Sequence, residues 1–185
     1  MNQSFFNKKI LSPLEEWTHL GEIKNDMGTR LIGHVPHIAP KAYVHVVYSP
    51  LKDEDLLEFG ERLERPIPIQ YEEFLGYANG LMVFSGALRV MGYTPIKRKA
   101  DVHVYNYPPN VIVSNVSARM KGLSHGAVIV GFYKEDGSYA SIEEDGSVVR
   151  FDAKGSGDVI QKWSDFDIWL SSEIAILNKD YKAAV

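Results

Sequence analysis

The 185-residue chain contains no cysteine. Disulfides, thiolate nucleophiles and thiolate metal sites are thereby excluded, and such a chain suits a reducing compartment. Long apolar runs are missing too. No stretch approaches the roughly 18 residues of a membrane span, and residues 1–17 lack the apolar core of a secretory signal. The expectation is a soluble, cytoplasmic protein with no membrane partner. A strong excess of one charge is missing: 20 Lys and Arg stand against 24 Asp and Glu, a formal net charge of −4. A dedicated nucleic-acid binder is usually basic, so direct nucleic-acid binding is disfavoured. There is no G-x-G-x-x-G, no phosphate-binding loop and no His-Glu-x-x-His, so no cofactor and no metal is expected.

Residues 66–92 carry the most information. Tyr71, Phe74, Leu75 and Ala78 recur at helical spacing. Pro68 is expected in the first turn, where its missing N–H is harmless. Asn79 and Gly80 suit the left-handed conformation that ends a helix. Segments 81–86 and 87–91 then read as strands. No catalytic side chain stands out in the whole stretch.

On the N-terminal side, residues 14–17 predict a short helix after Pro13. Gly28, Gly33, Pro36 and Pro40 predict a loop-rich stretch, and 42–48 predicts a strand. Ser49-Pro50 reads as a helix cap followed by a first-turn proline. Leu51, Asp55, Leu56, Phe59 and Leu63 form the helix stripe, Asp53, Glu54 and Asp55 favour its N-terminal dipole, and Arg65-Pro66 ends it. Further on, 101–105 alternates as a strand, and 111–113 is either a strand or the start of a short helix. Residues 127–133, 139–143 and 147–151 predict a three-stranded antiparallel meander, with Asp136-Gly137 and Asp145-Gly146 as its turns. After a loop at 155–157, Ser164 caps a last helix with an apolar stripe of Phe166, Trp169, Leu170, Ile174 and Leu177, fading from 180. The order gives an α+β class: an antiparallel sheet with helices packed around it. Residues 1–48 read as an N-terminal extension packed on a domain at 49–185.

Motifs for chemistry are thin, and no catalytic residue is assigned. Gly122-Leu-Ser124-His-Gly126 matches G-x-S-x-G, but that motif needs a helix after the serine and a distant histidine. Here a strand follows and no later histidine exists. His34 and His37 are separated by Pro36, and His45 and His103 stand alone. Arg89, Lys97, Arg98, Lys99, Arg119 and Lys121 make a basic middle near Tyr93, Tyr105 and Tyr107, the residue types a single-strand groove would need. Asn2-Gln-Ser4 and Asn115-Val-Ser117 match the glycosylation triplet, without a signal to make them meaningful.

Ile67-Pro68-x-x-Tyr71-x-x-Phe74-Leu75-x-x-x-Asn79-Gly80 resembles the signature of the SUKH superfamily, which includes yeast cell-wall synthesis regulators and many bacterial immunity proteins. Gly131, Asp136-Gly137 and Asp145-Gly146-x-Val148 resemble its meander, and Trp163-Ser164-x-Phe166 with Trp169-Leu170 its closing helix. The resemblance covers about residues 50–178. It implies a non-enzymatic α+β domain whose motif residues Pro68, Tyr71, Phe74, Leu75, Asn79, Gly80, Gly131 and Gly146 are structural. It also implies a protein partner, in the bacterial branch a toxin domain such as a nuclease, neutralised by occlusion of its active site. Glu135, Asp136, Glu143, Glu144 and Asp145 are the residues expected to steer a basic partner. The alternatives are a regulatory interaction module of the cell-wall-regulator type and, remotely, a small serine hydrolase using Ser124.

Overall fold

A computed structural model describes residues 1–96, 105–120, 123–152 and 158–183. The expected strand at 101–105, apart from Tyr105, lies outside these residues. So do Lys97, Arg98, Lys99, His103, Lys121, Gly122 and the loop at 155–157.

Among the described residues, nine strands form one sheet in chain order, each antiparallel to the next. They are β1 Glu22–Lys24, β2 Arg30–His34, β3 Tyr43–Val47, β4 Leu81–Val83, β5 Leu88–Val90, β6 Val128–Tyr133, β7 Tyr139–Ile142, β8 Val148–Phe151 and β9 Val159–Trp163. Helical pieces run end to end at the start: α1 (Gln3–Phe5), a π segment (Phe6–Leu11), α2 (Ser12–Glu15) and a 3₁₀ segment (Glu16–Leu20). Helices α3 (Asp53–Leu63) and α4 (Ile69–Leu75) lie between β3 and β4, and α5 (Phe166–Ala183) closes the chain. The α+β class and the antiparallel sheet are as the sequence predicts.

The main core joins these helices to one face of the sheet; Tyr71, Phe74, Leu75, Phe166 and Trp169 are fully buried in it. A smaller cluster of Leu31, Val46 and Tyr48 lies on the other face, as strand alternation requires. The register aligns Leu31, Val46, Met82, Arg89, Phe132, Tyr139 and Phe151 in one cross-strand row. The rings of Phe132 and Tyr139 approach to 5.3 Å, and those of Tyr139 and Phe151 to 6.0 Å, the kind of cross-strand pairing that stabilises a sheet.

Several local expectations are corrected. The loop-rich stretch around Gly28 and Gly33 contains β2, and residues 1–48 supply three strands of the common sheet. Ser49 does not cap α3. Its hydroxyl donates to the Met27 carbonyl, because residues 49–51 are held against α4 by Leu51 N–H donating to the Leu75 carbonyl at 2.9 Å. The helix starts at Asp53 without a side-chain cap, with three acidic residues in its first turn. Pro68 is not in the first turn of α4 but just before it, extended at φ −59° and ψ 130°, its carbonyl accepting from Tyr71 and Glu72. Segments 81–86 and 87–91 shorten to three-residue strands, because Phe84, Ser85 and Gly86 turn in the left-handed region. Residues 113–117 take the helical alternative, as a π segment. Strand β9 is missing from the sequence reading. Asp165, not Ser164, caps α5, its Oδ1 accepting from Ile168 N–H at 2.8 Å, and the helix runs on to Ala183.

Asn79 does not end a helix either; α4 stops at Leu75. Its buried side-chain amide donates to Tyr93 O and accepts from Tyr93 N–H, both at 2.7 Å. Gly80 is left-handed (φ +91°), and a Cβ there would sit 2.8 Å from the Val90 carbonyl. Asn115, within a glycosylation triplet, is likewise fully buried. It binds the backbone N–H and C=O of Ile129 at 2.8 Å each, so no glycan can attach in the folded state.

Three expected outcomes follow from this packing. Asn79→Ala leaves both backbone groups of Tyr93 unpaired in the core and lowers stability by about 2–4 kcal/mol in urea melts. His45 is fully buried, its Nδ1 accepting from Phe84 N–H at 3.3 Å, and burial holds its pKa down at about 3. A folded pKa below the unfolded one makes stability fall as pH drops below 6.5, by about 1.4 kcal/mol per pH unit until the folded value is reached. His45→Gln removes that contribution, so the pH dependence of the melts should flatten. Glu173, also buried, has its carboxyl raised by burial, against the opposing Tyr133 hydrogen bond and Arg150 charge. Its favourable contribution is present in acid and lost as pH rises through the folded pKa. Glu173→Gln is therefore expected to raise the melting temperature at pH 7.

Candidate docking cleft

Two prolines and a left-handed residue build the first wall of the site. Glu64 (φ 61°) terminates α3, and Pro66 and Pro68 then hold the chain as an extended ledge leading into α4. Ile69, at the start of α4, is 74% exposed, a large apolar side chain the core does not use. The facing wall is the β7–β8 hairpin. Glu143 N–H donates to Ser147 O at 2.8 Å, and Gly146, left-handed at φ +82°, donates to Glu143 O at 2.9 Å. The start of α5 forms the end wall. Gln70 ties it to the ledge by accepting from Phe166 N–H at 3.2 Å. Together these enclose a cleft of about 780 Å³.

Four carboxylates line this cleft: Glu143, Glu144, Asp145 and Asp165. Neutral donors hold them. Glu143 accepts from the hydroxyls of Ser124 (3.0 Å) and Ser141. Glu144 accepts from Gly126 N–H at 3.0 Å, and a side chain at Gly126 would collide with Glu144. Asp145 accepts from Ser147 N–H at 2.9 Å and from the Ser147 hydroxyl, which hold its carboxyl below the usual range. Among the described residues, cations approach at two points. Lys162 lies 3.6 Å from Asp145. Arg119 is near Glu143, but its guanidinium donates to the carbonyls of Ser124, His125 and Ala127. The cleft is thus negative, fixed in shape and bordered by apolar surface, which suits it to receive a basic protein surface.

The five acidic residues singled out from the sequence do not form one surface. Glu143, Glu144 and Asp145 share the cleft. Glu135 and Asp136 belong to the turn at the other end of β7, because consecutive hairpins of a meander point in opposite directions. Asp136 is spent on folding: it accepts from Ser138 and pairs with Arg150 at 2.7 Å. Arg150 in turn lies 3.6 Å above the Tyr133 ring.

Of the motif residues, Pro68 and Gly146 line the cleft, and Tyr71, Phe74 and Leu75 are buried. Tyr71 donates from its buried hydroxyl to Met91 O at 2.8 Å. A Cβ at Gly131 would lie 2.7 Å from the Trp169 ring, so glycine there lets α5 approach the sheet. Sequence reasoning missed Pro66, Ile69, Gln70 and Asp165. The available signal was Ile69, an isoleucine off the buried stripe of its own helix.

Ser124 lies in the turn before β6, and its hydroxyl partner is the Glu143 carboxylate rather than an imidazole. His34 pairs through Nε2 with Pro40 O at 3.0 Å. Among the described residues no group of three His, Asp or Glu is placed to hold a metal ion, and no helix is long and apolar enough to cross a membrane.

No curated protein matches this chain. A family model does, over residues 50–172, a span that includes the ledge, the hairpin, strands β4–β9 and the start of α5. By that match the chain belongs to the SMI1 / KNR4 family (SUKH-1).

Proposed function

We propose that the protein is a non-enzymatic binding protein of the immunity type, which neutralises a toxin domain, such as a nuclease, by covering its active site. Family membership is consistent with protein–protein interaction in general. The observation that carries the finer reading is the cleft: four carboxylates fixed by neutral donors beside an apolar ledge. Nucleases hold polyanions and are basic where they do so, so a preformed negative surface would both steer the encounter and occupy the groove. Occlusion needs no reacting group, and the partner of the Ser124 hydroxyl is the Glu143 carboxylate rather than an imidazole. On this reading the protein acts in the cytoplasm, where such a toxin would otherwise act, and takes no cofactor.

The test is co-expression with the toxin domain encoded beside its gene. The wild-type chain should restore growth and bind the purified domain with a rate that falls as salt rises. Glu143→Lys with Glu144→Lys should slow association about tenfold or more, whereas Ser124→Ala should leave rescue intact. Absence of both binding and rescue rejects the immunity reading. Binding to several endogenous enzymes instead would favour a regulatory module, and esterase activity abolished by Ser124→Ala would establish the hydrolase.

A further inference from the structure

The ledge has a second side. Pro66 and Ile67 line the cleft and also a groove of about 690 Å³ between α3 and α4, whose other walls include Leu57, Gly60, Glu61 and Glu72. Two features of this groove are unfavourable to the isolated chain. Leu57 is 73% exposed. Gly60 sits inside α3, where glycine costs about 0.5–1 kcal/mol relative to alanine.

Folding does not explain Gly60. A Cβ there would meet only Ile67 Cδ1, at 3.7 Å, an ordinary van der Waals contact. Its backbone is not in the left-handed region, so no turn demands it. Other glycines differ sharply: a side chain at Gly92 or Gly126 would strike the Asn79 carbonyl or the Glu144 side chain. The missing methyl of Gly60 keeps the groove floor open next to an exposed leucine, and both costs acquire a reason if a partner's side chain packs there.

Charge narrows the occupant. Asp53, Glu61 and Glu72 rim the groove, and among the described residues none of the three is in an ion pair. Arg65 is the cation lining it, and its Nη1 is turned to Ala127 O at 3.2 Å. We propose that the α3–α4 groove seats one apolar side chain of a partner protein, carried on a segment with lysine or arginine on either side. This rests on the reading of the protein as a binding module and extends its surface beyond the cleft.

The experiment uses the full chain with Gly60→Ala and Leu57→Ala. The probe is a synthetic amphipathic helical peptide of leucine and lysine, with a leucine–glutamate peptide as control. Gly60→Ala should melt at the same or a higher temperature while weakening peptide binding about tenfold, and Leu57→Ala should weaken binding with no loss of stability. Amide NMR shifts should centre on residues 57, 60 and 67. A lower melting temperature for Gly60→Ala makes the glycine structural and overturns the proposal. So do absent binding at millimolar peptide, shifts centred elsewhere, or an equal response to the acidic peptide. Failure of toxin rescue with intact peptide docking removes the immunity reading and leaves the groove standing. Rescue and toxin affinity untouched by either substitution would remove the groove and leave immunity.

Discussion

The side-chain amide of Asn79 completes the sheet where the backbone cannot. Beyond β5, the N–H and C=O of Tyr93 are buried, and a buried peptide group without a partner is expensive. Asn79 supplies a donor and an acceptor at 2.7 Å each, the same pair of bonds a neighbouring strand residue would exchange. The two backbones approach so closely that Gly92 has no room for a side chain against the Asn79 carbonyl. Asn115 repeats the device at Ile129. Because Asn79 lies four residues beyond the end of α4, its clamp fixes that helix to the sheet, and the Tyr71–Met91 bond adds a second point. The ledge at 66–70 is thereby held rigidly, although it has no strand of its own.

Rigidity matters because the ledge, the hairpin and the start of α5 come from distant parts of the chain. Trp169 fits over Gly131 and donates to the Tyr133 hydroxyl at 2.8 Å, which seats α5 on β6. Its N-terminal residues then meet Gln70 from α4. The carboxylates on these walls are oriented by serines and peptide N–H groups. Neutral donors fix a carboxylate without cancelling its charge, whereas an internal arginine would do both. The contrast with Asp136, already paired with Arg150, separates charge kept for the outside from charge used within.

Much of this was legible in the sequence because it rests on local pattern. The buried stripe of α4, the Asp145-Gly146 turn and the apolar run of β6 each follow from spacing alone, and the family motif rests on the same residues. What escaped depends on distant partners. Ser49 looks like a cap, yet its hydroxyl goes to Met27. Asn79-Gly80 looks like a helix end, yet its amide serves Tyr93, 14 residues on. β9, exposed along most of its length, has no alternation to betray it. Acidic residues nine positions apart in sequence appeared to be one patch, but a meander sends successive turns to opposite ends of the sheet.

Glycine shows most clearly where folding stops dictating the sequence. Gly80, Gly92 and Gly131 are each forced by an atom that a Cβ would strike or crowd, so the sheet junction and the seat of α5 dictate them. Gly60 meets no such atom. Its neighbour Leu57 gains little from the fold in its exposed position, and the three carboxylates that rim the groove are in no ion pair among the described residues. A monomer shaped only for its own stability would put alanine at 60 and a polar residue at 57. Both positions depart in the direction that opens one groove and leaves it apolar, and Pro66 and Ile67 border that groove as well as the acidic cleft.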